Sequence, residues 1–282
     1  MSFRIIHGRF YVTGYSPDGD SIRFKADDAR VWRKLDGRKV KLNNRGHAQL
    51  RIEAIDTLET HYRSQHQPLQ WADAATLRLL ELLGISGVEW YPSHSRIRSA
   101  NDGVPGYILS RQTENQGRPV AFVFDDSLNL DNGRTIRLNA PLMRKSVNFR
   151  LIAEGLAYPA FYDGLFRDLR DAFIEVQHAM RAANDGLWRV DRSNKYTRYE
   201  TLEDITERYV MFPKMFRRLA AYMRKNPGTF DPWAFRDALE ERPERVFVMR
   251  TLHFTHFDNV IRVSPSGRIR MTERPEDLIF IG

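Results

Sequence analysis

Three short runs carry residue types that act on phosphate esters. Asp18-Gly19-Asp20-Ser21 is a tight turn entering an alternating segment, and Arg51-Ile-Glu-Ala-Ile-Asp56-Thr57-Leu58-Glu59 lies at the exit of another. Gly117-Arg118 stands just before the apolar run 120–124. A hard divalent cation takes oxygen ligands from carboxylates, backbone carbonyls and water. Asp20 and Asp56 can supply the carboxylates and Thr57 a carbonyl. Arg51 and Arg118 can bind a phosphate that bridges to the metal, and Glu59 can contact a metal-bound water. Two cationic side chains, a metal and an acid around one phosphate make a site for phosphodiester hydrolysis. On an ideal strand Arg51 and Asp56 point to opposite faces. The strand must therefore bend, bulge or end before Asp56 if both are to serve one site.

The elements that must hold these residues show in the patterning. Phe10 and Val12 alternate, Pro17-Asp18-Gly19 breaks the run, and Ile22 and Phe24 resume it, which predicts a hairpin over 8–26. Ala48, Leu50, Ile52 and Ala54 share one face of a strand over 48–55. Helical spacing covers Leu69 to Leu83, with Gly84 as its stop. Short strands are expected at 88–91, 107–109 and 120–124, a short helix over 147–157, and a long amphipathic helix over 166–183. The polar run 193–200 reads as a linker. Beyond it, a helix is expected over 202–210, another beginning at Pro213, and a third capped by Asp231 with Pro232 in its first turn. A strand at 246–249 and a hairpin around Ser266-Gly267 complete the reading.

Each chemical run alone also has an ordinary structural meaning: a turn, an exposed ion pair, a solvated loop. Their order is more specific. Together with Ala121-Phe122 after Gly117-Arg118, Val147-Asn148 to Gly155-Leu156-Ala157, and Ala182 to Gly186-Leu187-Trp188, the set resembles the staphylococcal-nuclease-like (thermonuclease) family over about residues 8–190. The resemblance implies an α+β fold: a five-stranded OB-fold-type β-barrel with packed helices in a nuclease domain at 1–193. A smaller accessory domain of helices and a β-hairpin follows at 194–282, with no family apparent. It implies a Ca²⁺-dependent endonuclease of low sequence specificity, with Mg²⁺ or Mn²⁺ as alternative ions, that leaves 5′-hydroxyl and 3′-phosphate ends on DNA or RNA. Carried over by position, Asp20, Asp56 and Thr57 resemble the metal ligands. Arg51 and Arg118 resemble the phosphate-binding arginines, Glu59 the general base, and Asp18 a supporting carboxylate. Tyr158, Phe161 and Tyr162 fall where the family's aromatics flank a base, and base–aromatic stacking contributes about 1–3 kcal/mol per base. Ser21 stands where the family has threonine and keeps the hydroxyl, whereas Leu58 replaces a proline and frees the φ just before Glu59. The alternative is a catalytically silent nucleic-acid-binding or protein-interaction module on the same barrel.

Bulk composition agrees with a polyanion partner. The 282 residues include 42% hydrophobic and 28% charged residues, enough apolar mass for a sizeable core, and carry a formal charge of +8. The absence of cysteine excludes disulfides, thiolate metal sites and thiol nucleophiles. No apolar run approaches a membrane span or a secretory signal, so the expected setting is cytoplasmic without a membrane partner, or secreted if a signal has been removed. Lys214, Arg217, Arg218, Arg224 and Lys225 lie within 214–225 without an acid. That run reads as a solvated helix face, with a nucleic-acid contact or partner docking and self-association through 194–282 as the other readings.

Overall fold

The computed structural model describes residues 2–92 and 95–282; Met1, and Ser93 and His94 inside the polar stretch 92–117, lie outside it. The fold is mixed α+β. Its two compact units do not follow chain order: one comprises Met1–Glu53 and Ala75–Leu151, the other Ala54–Ala74 and Ile152–Gly282. Residues 194–282 thus share a unit with 54–74 and 152–193.

The first unit is built on a nearly closed β-barrel sheet. Strand Phe3–Tyr11 pairs antiparallel with Arg23–Ala26, setting Phe10 opposite Phe24, and on its other edge with Val104–Thr113. Val104–Thr113 pairs antiparallel with Pro119–Asp125. The gap between the sheet's two ends is spanned by one bent segment. Its first part, Ala48–Gln49, pairs with Arg23–Ala26, and its second part, Arg51–Ile52, runs parallel to Pro119–Asp125. Between them the Leu50 amide donates to the Ile22 carbonyl at 2.9 Å. Alternation places Phe10 and Phe24 on one face of the sheet and Leu109, Phe122 and Phe124 on the other, and all five are buried. The 8–26 hairpin is therefore present, and the strand expected at 107–109 extends over ten residues. Residues 27–46 contain a 3₁₀ turn, Ala29–Lys34, whose N-terminus is capped by the Asp28 side chain.

Asn148 ties this sheet to its neighbouring turn. Its Oδ1 accepts from the Val123 amide at 2.9 Å, and its Nδ2 donates to the carbonyls of Glu53 and Ala121 at 2.8 and 3.1 Å. A fully buried amide satisfied at both ends fixes where the Arg51–Ile52 strand stops. The chain then turns through Glu53 and Ala54, the latter at φ +69°, before the short strand Ile55–Asp56. The break before Asp56 that alternation demanded is thus present.

The second unit packs helices Arg167–Ala183, Pro213–Lys225 and Pro232–Glu240 with a four-stranded sheet. That sheet orders Phe161–Tyr162, Leu278–Phe280, Arg245–Val248 and His253–His256. Phe212, Phe216, Leu219, Phe235, Phe257 and Phe280 are buried in its core, and Leu58 joins them at 0% exposure. Leu58 is thus a core residue of this unit. The Gly155 and Gly186 turns cross at contact distance: a Cβ on Gly186 would lie 2.5 Å from the Gly155 carbonyl oxygen. Both glycines have positive φ, and the Leu187 amide donates to that same carbonyl at 2.8 Å. The run 193–200 is built into this unit. Thr197 bridges to Ile269, Tyr199 is buried, and Ser193 Oγ donates to Asp191 while accepting from the Phe212 amide. The helix expected over 202–210 is a single π turn, Asp204–Arg208, because Asp204 turns back to accept the amides of Glu200 and Thr201. Among the described residues no helix is long and apolar enough to cross a membrane.

In the first unit the His47 ring stacks on Tyr11 at 4.2 Å and lies 3.1 Å from the Tyr15 hydroxyl. Burial, then the charges of Lys25, Arg45 and Arg23, lower its pKa below the ordinary 6.5, against a smaller opposing effect of Asp102. The unfolded chain then binds the proton first as pH falls. His47 stabilises the fold fully above pH 6.5 and loses that contribution as pH drops toward its folded pKa. Thermal melts from pH 7.5 to 5 are expected to show a falling Tm whose slope is smaller in His47→Asn. Equal slopes in the two proteins would exclude this role.

Candidate functional site

The expected site residues fall into two groups, one in each unit. In the first unit the Asp18–Ser21 turn closes on itself, the Ser21 amide donating to the Asp18 carbonyl at 3.1 Å. The Asp20 carbonyl in turn accepts from the Ile52 amide at 2.9 Å. This bond sets the turn against the Arg51–Ile52 strand. Parallel register pairs Arg51 with Val120, two residues beyond Arg118. Asp18, Asp20, Arg51 and Arg118 therefore gather on adjacent segments at one end of the barrel sheet. Arg118 is not idle: its Nε donates to Glu114 Oε1 at 3.3 Å, and its amide donates to the same oxygen at 3.0 Å. Both partners are partly exposed, so the ion pair itself contributes little and an incoming phosphate can compete for the guanidinium.

The second unit holds Asp56, Thr57 and Glu59. Asp56 pairs with Tyr158 on the short ladder between Ile55–Asp56 and Tyr158–Pro159. Gln67, fully buried, fixes the start of the following loop. Its amide donates to the Glu59 carbonyl at 2.8 Å, its Oε1 accepts from the Glu59 amide at 3.3 Å, and its Nε2 donates to the Met211 carbonyl at 2.8 Å. Thr57 is buried, and its hydroxyl has no hydrogen-bond partner among the described residues.

The residue that sequence reasoning did not attach to this group is Arg217. Its Nη1 donates to Asp56 Oδ1 at 3.1 Å and its Nη2 to Asp56 Oδ2 at 2.8 Å, a bidentate fork. Nη1 also donates to Glu59 Oε1. Burial opposes the charge on Arg217, but the neighbouring Asp56 and Glu59 outweigh it and hold its pKa well above the ordinary arginine value. The side chains of Arg217, Asp56 and Glu59 are 24%, 7% and 16% exposed, so solvent screens this cluster only weakly. The sequence signal was present in part, since Arg217 lies in the basic run 214–225 that carries no acid of its own.

These contacts bear on the expected cation. A divalent ion needs carboxylate oxygens open to it, and both oxygens of Asp56 are committed to Arg217. Among the described residues no group of three or more His, Asp or Glu side chains is arranged to hold a metal. With Arg217 in place, a cation already occupies the carboxylate face of Asp56.

The expected stacking residues are packed inside. Tyr158 is fully buried, donates its hydroxyl to Asp191 Oδ1 at 2.8 Å, and meets Trp188 and Phe212 edge-on. Burial, then the Asp191 charge, push its phenol well above the ordinary tyrosine value. Phe161 is also fully buried and packs on Phe173. As folded, neither ring presents a face to a nucleotide. Tyr162 is half-buried, with Phe280 beside it and the Lys214 ammonium 5.2 Å from its ring centre.

A scan against protein-family models finds no match for this chain, and no curated protein matches its sequence.

Removing one partner from a buried ionic cluster typically costs about 3–5 kcal/mol. Arg217→Met is expected to lower the unfolding free energy by about that amount in urea titrations. In the triple variant with Asp56→Asn and Glu59→Gln most of the loss should return. Ca²⁺ should raise the Tm of Arg217→Met and leave the wild-type Tm nearly unchanged. A loss below about 1 kcal/mol would mean that Arg217 pairs only as surface ions do.

Proposed function

We propose that this chain is a nuclease of the staphylococcal-nuclease-like type, its first unit an OB-type barrel, acting on phosphodiester bonds of DNA or RNA with little sequence specificity. The observation that supports this is the convergence in the first unit. The Asp20 turn, the Arg51 strand and Arg118 come from three separate parts of the sequence and meet on neighbouring segments. Arg51 and Arg118 bind the non-bridging oxygens of one phosphate and offset the charge that builds on them during attack. Water attacks phosphorus in line and the P–O5′ bond breaks. The water's second proton ends on the departing 5′ oxygen, giving 5′-hydroxyl and 3′-phosphate ends. The resemblance gives Glu59 the proton-accepting role, and in this structure its carboxylate accepts a hydrogen bond from Arg217.

A second reading is favoured by that same Arg217 contact. A guanidinium permanently seated on Asp56 and Glu59 leaves a barrel that binds nucleic acid without cutting it. The two readings separate in one assay. Purified protein is incubated with labelled single-stranded DNA and RNA, with Ca²⁺ or with excess chelator. Cleavage reduced at least about 100-fold in both Arg51→Ala and Glu59→Ala supports the nuclease, a loss in the range expected for acid–base and charge-stabilising groups. Salt-sensitive binding without turnover under either condition supports the silent module. Undiminished cleavage in chelator would remove the divalent ion from the reaction.

A further inference from the structure

Beside the Asp56–Arg217–Glu59 cluster, within the second unit, lies a cleft of 420 Å³. Five basic residues line it, Arg63, Arg217, Arg218, Lys225 and Arg242, against a single acid, Glu241. Arg217 and Arg218 are already matched, the first by Asp56 and Glu59 and the second by Glu244. Arg63, Lys225 and Arg242 form no ion pair among the described residues, and all three are exposed. The cleft thus presents three cations outside any ion pair against one acid, Glu241, and cations focused in a concave wall attract anions more strongly than the same charges spread over a flat surface.

The wall is also shaped. Tyr62 and Gln65 exchange backbone hydrogen bonds, with the Gln65 amide 2.8 Å from the Tyr62 carbonyl. Between them Arg63 and Ser64 both adopt positive φ, +53° and +84°. A two-residue turn of this kind normally takes Asn-Gly or Gly. An arginine and a serine held there carry backbone strain. That conformation sets Arg63 at the cleft with its guanidinium 5.6 Å from the Tyr62 ring centre. Arg224 supports the turn from helix Pro213–Lys225, its Nη1 donating to the Arg63 carbonyl at 3.3 Å. Tyr62 and Tyr222 add two aromatic rings to the lining.

Cations outside any ion pair at the mouth, aromatic rings in the wall and strain that fixes one arginine are the components of a site for a single nucleic-acid strand, where phosphates meet the cations and bases or sugars meet the rings. We propose that this cleft is a phosphate subsite for a single-stranded polynucleotide. The proposal rests on the nuclease reading above, because the cleft borders Asp56 and Glu59 through Arg217, which faces both. A phosphate in the cleft is then a competing anion for the Arg217 guanidinium. Binding of the strand draws Arg217 toward the phosphate and frees the two carboxylates at the moment substrate is present.

The test measures binding of fluorescein-labelled dT12 and rU12 to the full chain by anisotropy, from 25 to 300 mM salt. The variant is Arg63→Ala/Lys225→Ala/Arg242→Ala. The control is Lys195→Ala/Arg262→Ala/Arg268→Ala, which removes the same charge from exposed positions outside the cleft. Circular dichroism melts of both check that the fold is kept. The cleft variant is expected to bind at least about tenfold more weakly at low salt, with its log–log salt slope about 2 smaller in magnitude, the value for three lost phosphate contacts on a single strand. The control should stay within about twofold of wild type, in line with the loss of long-range attraction alone. Equal weakening in variant and control would overturn the subsite and leave the nuclease reading standing if wild type still cleaves. Wild type that neither binds nor cleaves either oligonucleotide would overturn both.

Discussion

A guanidinium enclosed with two carboxylates is a constraint before it is a contact. Arg217 cannot leave Asp56 and Glu59 without exposing three charges to a poorly solvated surround, and it cannot be removed without stranding two of them. Much of the second unit is arranged to bring these side chains together. Gln67 fixes the backbone on both sides of the Glu59 amide and carbonyl, and the same side chain reaches the Met211 carbonyl, where the approach to helix Pro213–Lys225 begins. The helix buries Met215, Phe216, Leu219, Ala220 and Met223 on its apolar face, which settles its rotation and leaves Arg217 partly exposed at the edge of that face. Arg218, the next residue, is matched to Glu244 together with Lys214. The basic helix is therefore neutralised largely by acids from elsewhere in the chain.

The barrel of the first unit works by a different logic. Its chemistry-bearing residues are placed by register and backbone hydrogen bonds more than by side-chain pairing. The bent segment around Leu50 lets one strand serve both ends of the sheet. Asn148 stops that strand, and the Asp20 carbonyl bonds to its last amide. A rigid sheet of this kind sets the spacing of Arg51 and Arg118 whether or not a ligand is present, which is the condition for preorganised charge stabilisation. The carboxylates of the second unit are held in the opposite way, by direct hydrogen bonds from the Arg217 side chain.

What could be read from the sequence follows the range of each interaction. The 8–26 hairpin, the helix beginning at Leu69 and the Asp231-capped helix were legible because periodicity, turn residues and caps act over a few positions. The break before Asp56 was legible as a requirement, though not its form, an alanine at φ +69°. Arg217 could not be assigned to its acids because it stands 161 and 158 residues from Asp56 and Glu59. A basic stretch with no local acid looks the same whether its counter-charges are water or distant carboxylates. The run 193–200 looked like a linker for a related reason: its partners Ile269 and Phe212 lie outside any local window. Tyr158 and Phe161 resembled exposed stacking rings because a hydroxyl or a ring reveals its burial only when the packing is known.

The distance between Glu59 and Arg217 also has a meaning in time. A ribosome adds about 5–20 residues per second, so the 158 residues between them take roughly 8 to 32 seconds to make. Through that interval the nascent chain carries both carboxylates without Arg217, the partner that holds them in the finished fold. The cluster thus cannot close until Arg217 has been made, and a chain halted before Arg217 differs from the finished protein in the charge its second unit presents.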